Sequence, residues 1–165
     1  MTEDHPKTAS VPAAGTAGPP RVPARHVAVV TCMDARIDPL DALGLELGAA
    51  HVIRNAGAVV TDDVLRSLAI SQALLGTRAV VVMAHTDCGL CGLDENAFGE
   101  DLAARAGEQA PWSAGSFADV DTFVTEGAGR VRTCRFLRHT AEVSAVVFDV
   151  ATRQVRPAAS GSAGR

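Results

Sequence analysis

Apolar positions in this chain fall into two patterns, short unbroken β-branched runs and longer stretches at helical spacing. Val27-Ala28-Val29-Val30-Thr31 and Arg78-Ala79-Val80-Val81-Val82-Met83-Ala84 are of the first kind, the mark of strands buried on both faces. Ser144 to Val150 is a third such run, His51-Val52-Ile53-Arg54 predicts a short strand, and Gln154-Val155-Arg156 predicts an edge. Between them, Asp38 and Pro39 open a short helix that Gly44 and Gly48 end. Thr61 caps a longer helix carrying Val64, Leu65, Leu68, Ala69, Gln72 and Leu75 to a stop at Gly76. Its apolar residues cover much of its circumference, so burial against a sheet and against something further is expected. Helical spacing also predicts Asn96–Ala106 and, despite Gly127 and Gly129, residues 119–137.

Strands alternating with helices predict an α/β fold, doubly wound, with a mostly parallel sheet flanked by helices. Residues 1–24, rich in Pro, Ala, Thr and Gly, read as a flexible or extended N-terminal arm. The catalytic domain is expected over 25–156 and a Ser/Gly/Ala tail over 157–165. With 165 residues there is room for one domain with a core of its own.

Charge and composition narrow the function. A formal net charge of −4 argues against nucleic acid or an anionic membrane as main partner. No apolar stretch is long enough to span a bilayer, and the N-terminus lacks a secretory pattern, so a cytoplasmic location is expected. In that compartment the four cysteines are not a disulfide framework. With aromatic residues at 4% and no tyrosine, the chain is poorly equipped to stack bases.

The chemistry concentrates at two strand ends. In such sheets ligands bind beyond the carboxyl ends of the strands, where strand order reverses. Cys32 follows the first run; His85 and Cys88 follow the third predicted strand. Side by side, these three can ligate zinc in a tetrahedron whose fourth position stays open to water. Asp34 alternates onto the side of Cys32, and Arg36 can clamp it with two parallel hydrogen bonds. Cys88-Gly89-Leu90-Cys91 by itself also fits a redox dithiol. His26, His51 and His139 lack ligand-spaced companions, Arg54 reads as a structural partner of the turn at Asn55-Ala56-Gly57, and Trp112 is expected to pack.

Three segments together, Cys32-x-Asp34-x-Arg36, Arg54-Asn55-Ala56-Gly57 and His85-Thr86-Asp87-Cys88-Gly89, resemble the signatures of the β-class carbonic anhydrases. The likeness covers roughly residues 25–150, at a length like the small members of the class. It implies one Zn2+ per chain on Cys32, His85 and Cys88, and Asp34 with Arg36 as a catalytic dyad. It implies a homodimer or dimer of dimers with the arm embracing its partner. The reaction implied is reversible hydration of CO2 to bicarbonate, by attack of zinc-bound hydroxide. Backbone N–H groups near Gly57 would receive developing charge, and Ala58, Val59, Val60 and Leu90 would line the pocket. One subclass has an inhibitory bicarbonate pocket built on Trp and Tyr; here Val29 stands in the Trp position and no Tyr exists. Hydrolysis of COS or CS2 on the same fold, and a non-catalytic zinc-binding sensor or scaffold, remain open alternatives.

Overall fold

A computed structural model describes residues 21–159. Five strands form one sheet in the order β2-β1-β3-β4-β5. They are β1 (Val27–Cys32), β2 (Ala50–Asn55), β3 (Ala79–His85), β4 (Val143–Phe148) and β5 (Val155–Pro157). The first four are parallel; β5 runs antiparallel along β4. The expected α/β architecture is therefore present, with each boundary within a residue or two of its apolar run.

Four helices flank the sheet: α1 (Pro39–Ala42), α2 (Asp62–Leu75), α3 (Glu95–Ala106) and α4 (Val120–Thr133). The Asp38 carboxylate accepts from the Leu40 and Asp41 amides, which is why a four-residue helix starts there at all. Thr61 caps α2 by accepting from the Val64 amide, and Gly76 ends it in the left-handed conformation.

The two faces of the sheet are covered unequally. Val64 and Leu68 of α2 and Val124, Ala128 and Val131 of α4 pack with Ala28, Val30, Val80, Val82 and Val147 into the main core. On the other side Met83 and Phe148 pack with Ile37, Ala42 and Leu43 around the short α1. Gly127 has a packing role in α4. A Cβ there would lie 3.2 Å from Val60 Cγ2 and 3.6 Å from Val82 Cγ1 of β3, so its absence lets the helix settle against Val60 and the sheet.

Several expectations need adjustment. The helix predicted over 119–137 stops at Thr133, with Cys134 already extended. Trp112 does not pack; it is 61% exposed. The loop after α3 is held by polar contacts instead, the Glu95 carboxylate accepting from Ser113 Oγ and from the Ser116 amide. Of the arm expected over 1–24, residues 1–20 lie outside the described part. The remainder, residues 21–24, meets the segment that leads into β2: Ala24 donates to the Gly48 carbonyl, and Arg25, the first residue of the expected domain, donates to that of Ala49. The expected tail is likewise held at its start, where Ala158 donates to the Ala145 carbonyl and Ala159 to Asp121.

Candidate active site

The chain passes from β1 outward to β2 on one side and then to β3 on the other, so strand order reverses between β1 and β3. Their registered pairing runs from Val27 with Ala79 to Thr31 with Met83. Cys32 and His85 therefore leave the sheet side by side at its carboxyl edge. Thr86 keeps the chain on course beyond β3: its amide donates to the Phe148 carbonyl, and its hydroxyl accepts from the Val150 amide.

There Cys32, His85 and Cys88, all buried, bring one donor atom each to within 4.8 Å of one another. His85 Nδ1 donates to the Thr86 carbonyl at 2.9 Å, which leaves Nε2 as the lone-pair nitrogen. That Nε2 is buried and has no hydrogen-bond partner among the described residues. A buried polar atom without a partner is costly, and a ligated ion removes that cost. Burial lowers the His85 pKa, favouring neutral imidazole, and raises that of Cys88, with the Cys32 sulfur adding to the rise. The Gly57 amide donates to Cys32 Sγ at 3.3 Å, a contact suited to a thiolate. Two sulfurs and one neutral imidazole make a soft donor set that fits zinc.

Asp34 stands beside the trio, its Oδ2 3.9 Å from His85 Nε2. Arg36 Nε donates to Asp34 Oδ1 at 3.0 Å and Nη2 to Oδ2 at 2.8 Å, the two-pronged clamp expected from sequence. The Arg36 amide adds a bond of 2.9 Å to Oδ1. These bonds hold the Asp34 carboxyl far below the usual carboxylate range, so it is ionised at neutral pH. Arg54 braces the same loop, Nε donating to the Cys32 carbonyl at 3.0 Å and Nη2 to that of Asp34 at 2.6 Å.

All five expected metal and dyad residues thus converge. Gly57 is also here, but its N–H is directed at Cys32 Sγ, so that donor is engaged before any substrate arrives. Its left-handed φ of 72° suits glycine, and a Cβ would come within 2.5 Å of Leu90 Cδ1. Leu90 packs with Cys32 and Cys88, whereas Val60, expected as pocket lining, belongs to the main core. Cys91 stands apart from the trio, exposed, its Sγ 3.8 Å from the Ala118 carbonyl.

Comparison with known proteins agrees with this geometry. The family model described as carbonic anhydrase matches residues 27–113. "Beta-carbonic anhydrase 1" of Mycobacterium tuberculosis is 45% identical over 141 residues, covering 85% of this chain and 86% of that protein. The chain belongs to the β-carbonic anhydrases. The crystal structure of carbonic anhydrase from Streptococcus mutans superposes with a TM-score of 0.81 at 40% identity, covering 88% of each chain. A carbon disulfide hydrolase of Acidithiobacillus thiooxidans is 30% identical over 154 residues, covering 81% of this chain and 77% of the relative.

Sequence reasoning passed over one residue of this β-carbonic anhydrase site. Asp87 Oδ2 accepts from Arg36 Nη1 at 2.6 Å, and the Asp87 carbonyl accepts from Nη2 at 2.9 Å. Its place between His85 and Cys88 was the available signal. Its partner lies 51 positions away, so spacing alone does not find the pair.

Proposed function

We propose that this chain catalyses the reversible hydration of CO2 to bicarbonate and a proton, with one zinc ion held by Cys32, His85 and Cys88. What carries the reading is an unpartnered, buried His85 Nε2 facing two sulfurs, next to an arginine-clamped carboxylate. A structural zinc closed by four protein ligands has no use for that dyad. Held by Cys32, His85 and Cys88, a zinc ion would supply a water of pKa about 7, and with it a nucleophile at neutral pH.

The protein's part is orientation. Thr86 fixes the His85 tautomer through the Nδ1–H bond, and Gly57 steadies the Cys32 sulfur. Asp34, kept ionised by Arg36, can only accept hydrogen bonds. Its Oδ2 takes the bond of the attacking water and turns the water's lone pair toward the carbon of CO2. We assign Gly57 to ligand positioning ahead of direct substrate binding, because its N–H is already directed at sulfur.

Four unpaired cysteines suit a reducing cytoplasm. We further propose assembly as a homodimer or dimer of dimers, for which exposed Leu74 and Phe136, at 76% and 74%, offer apolar surface.

A second reading, hydrolysis of COS or CS2, is favoured by the A. thiooxidans relative. Stopped-flow hydration of CO2, run beside CS2 and COS consumption on the same zinc-loaded preparation, separates the two. Our reading predicts a dominant CO2 rate; a protein that consumes CS2 and leaves CO2 alone would overturn it.

A further inference from the structure

The Arg36 guanidinium is gripped on two sides. One side binds both oxygens of Asp34. The other donates to the carboxylate and the carbonyl of Asp87. Asp87 adopts the left-handed backbone conformation with φ 54°, and from that turn one residue presents both acceptors to one guanidinium. The loop after β1 is thereby tied to the loop after β3, next to all three proposed ligands: Cys32 ends β1, His85 ends β3 and Cys88 lies in the second loop.

This tie matters because Asp34 stands so close to the trio. Its Oδ2 is 3.9 Å from His85 Nε2, and carboxylate oxygens are themselves zinc ligands at about 2.0–2.2 Å. An Asp34 freed from arginine needs only a small movement to become a fourth ligand and close the site. Arg36 prevents this, yet its own side chain is 48% exposed. A long, half-exposed arginine tied at one end keeps much of its rotamer freedom. Asp87 supplies the second tie.

We propose that Asp87 is a positioning residue, which fixes Arg36 and through it keeps the Asp34 carboxylate beside the metal ligands and not among them. The inference rests on the reading of Cys32, His85 and Cys88 as ligands. Among the described residues no hydrogen bond joins Asp87 to a ligand side chain; its bonds to the dyad are those to Arg36.

Asp87→Gly and Asp87→Asn test it, since both residues tolerate left-handed backbone. Glycine removes the carboxylate; asparagine keeps an acceptor without the charge. Partners that orient a catalytic group typically contribute ten- to a hundredfold. For Asp87→Gly we expect kcat for CO2 to fall about tenfold with KM little changed, and Asp87→Asn to fall in between. Zinc content should stay at one per chain in both. In an Arg36→Ala background the effect of Asp87→Gly should vanish, because the two residues act as one unit. A second readout needs no turnover: solvent exchange of the Arg36 Nε–H, followed by NMR, should speed up about tenfold in Asp87→Gly. Unchanged exchange, full kcat in Asp87→Gly, or a loss that persists without Arg36 would each overturn the proposal. If the parent protein fails to hydrate CO2, the proposed function falls, while the exchange measurement still decides whether Asp87 holds Arg36.

Discussion

A handful of side chains here do work that their neighbours in sequence do not reveal. Arg54 is one. Both its bonds go to backbone carbonyls, those of Cys32 and Asp34, so it shapes the ligand loop without touching the chemistry. Replacing it by methionine keeps the stem and removes the donors. The expected outcome is a loss of about 1–3 kcal/mol in urea unfolding, with the CO2 reaction weakened but present. Unaltered stability would show that water takes over both carbonyls at no cost. At this scale the sequence was informative where one residue type has few uses: a Cys, an Asp and an Arg at alternate positions, and a His and Cys three apart. It was silent on Asp87 and misleading on Trp112. Asp87 meets Arg36 only because β1 and β3 are adjacent, and Trp112 lies in a loop that Glu95 anchors through the next residue, Ser113, by polar contacts that leave the indole exposed.

Elements were legible wherever apolar runs had caps. Asp38, Thr61 and Gly76 each mark a helix end by a bond or a backbone conformation that the residue type favours. Helix α4 was harder to read, because its two glycines weaken the helical pattern and only packing explains one of them. Gly127 faces Val60 Cγ2 at 3.2 Å, whereas nothing lies within 4 Å of a Cβ at Gly129. Gly129→Ala should therefore stabilise the protein by up to about 1 kcal/mol through helix propensity. Gly127→Val should destabilise it by about 1–3 kcal/mol through overpacking. Equal effects in thermal unfolding would contradict this account of the helix–sheet contact.

The start of α4 is also tied to the last strand. Asp121 accepts two bonds from Arg156 and one from the Ala159 amide, and the arginine bonds are the main reason its pKa lies below the usual carboxylate value. A lowered folded-state pKa means stability that is present above about pH 4, the unfolded value, and lost as pH falls through the folded one. Asp121→Asn should lower Tm at pH 7, and the gap to the parent should close on acidification. A gap constant from pH 7 to pH 3 would assign the loss to something other than charge.

For the whole molecule, α2 shows most plainly what one chain leaves unfinished. Its inner side is buried through Val64, Leu68, Ser71 and Gln72, while Ile70 and Leu74 stay exposed at 39% and 76%. With Leu65, Ala69 and Phe136 they line an apolar groove of about 930 Å³. The sequence signalled this as a helix apolar around much of its circumference, but it could not say what covers the outer side. We expect sedimentation equilibrium to return a dimer or tetramer mass at micromolar concentration. A monomer mass would contradict the assembly proposed above.

We propose that Cys32, His85 and Cys88 hold a zinc ion and that Asp34 orients the attacking water toward CO2. Zinc content and stopped-flow CO2 hydration, measured together on the parent and on Asp34→Ala, test it most directly. We expect one zinc per chain in both proteins, brisk hydration in the parent, and a fall of about a hundredfold in the variant. A parent that carries zinc and does not hydrate CO2, or a variant as fast as its parent, would contradict it.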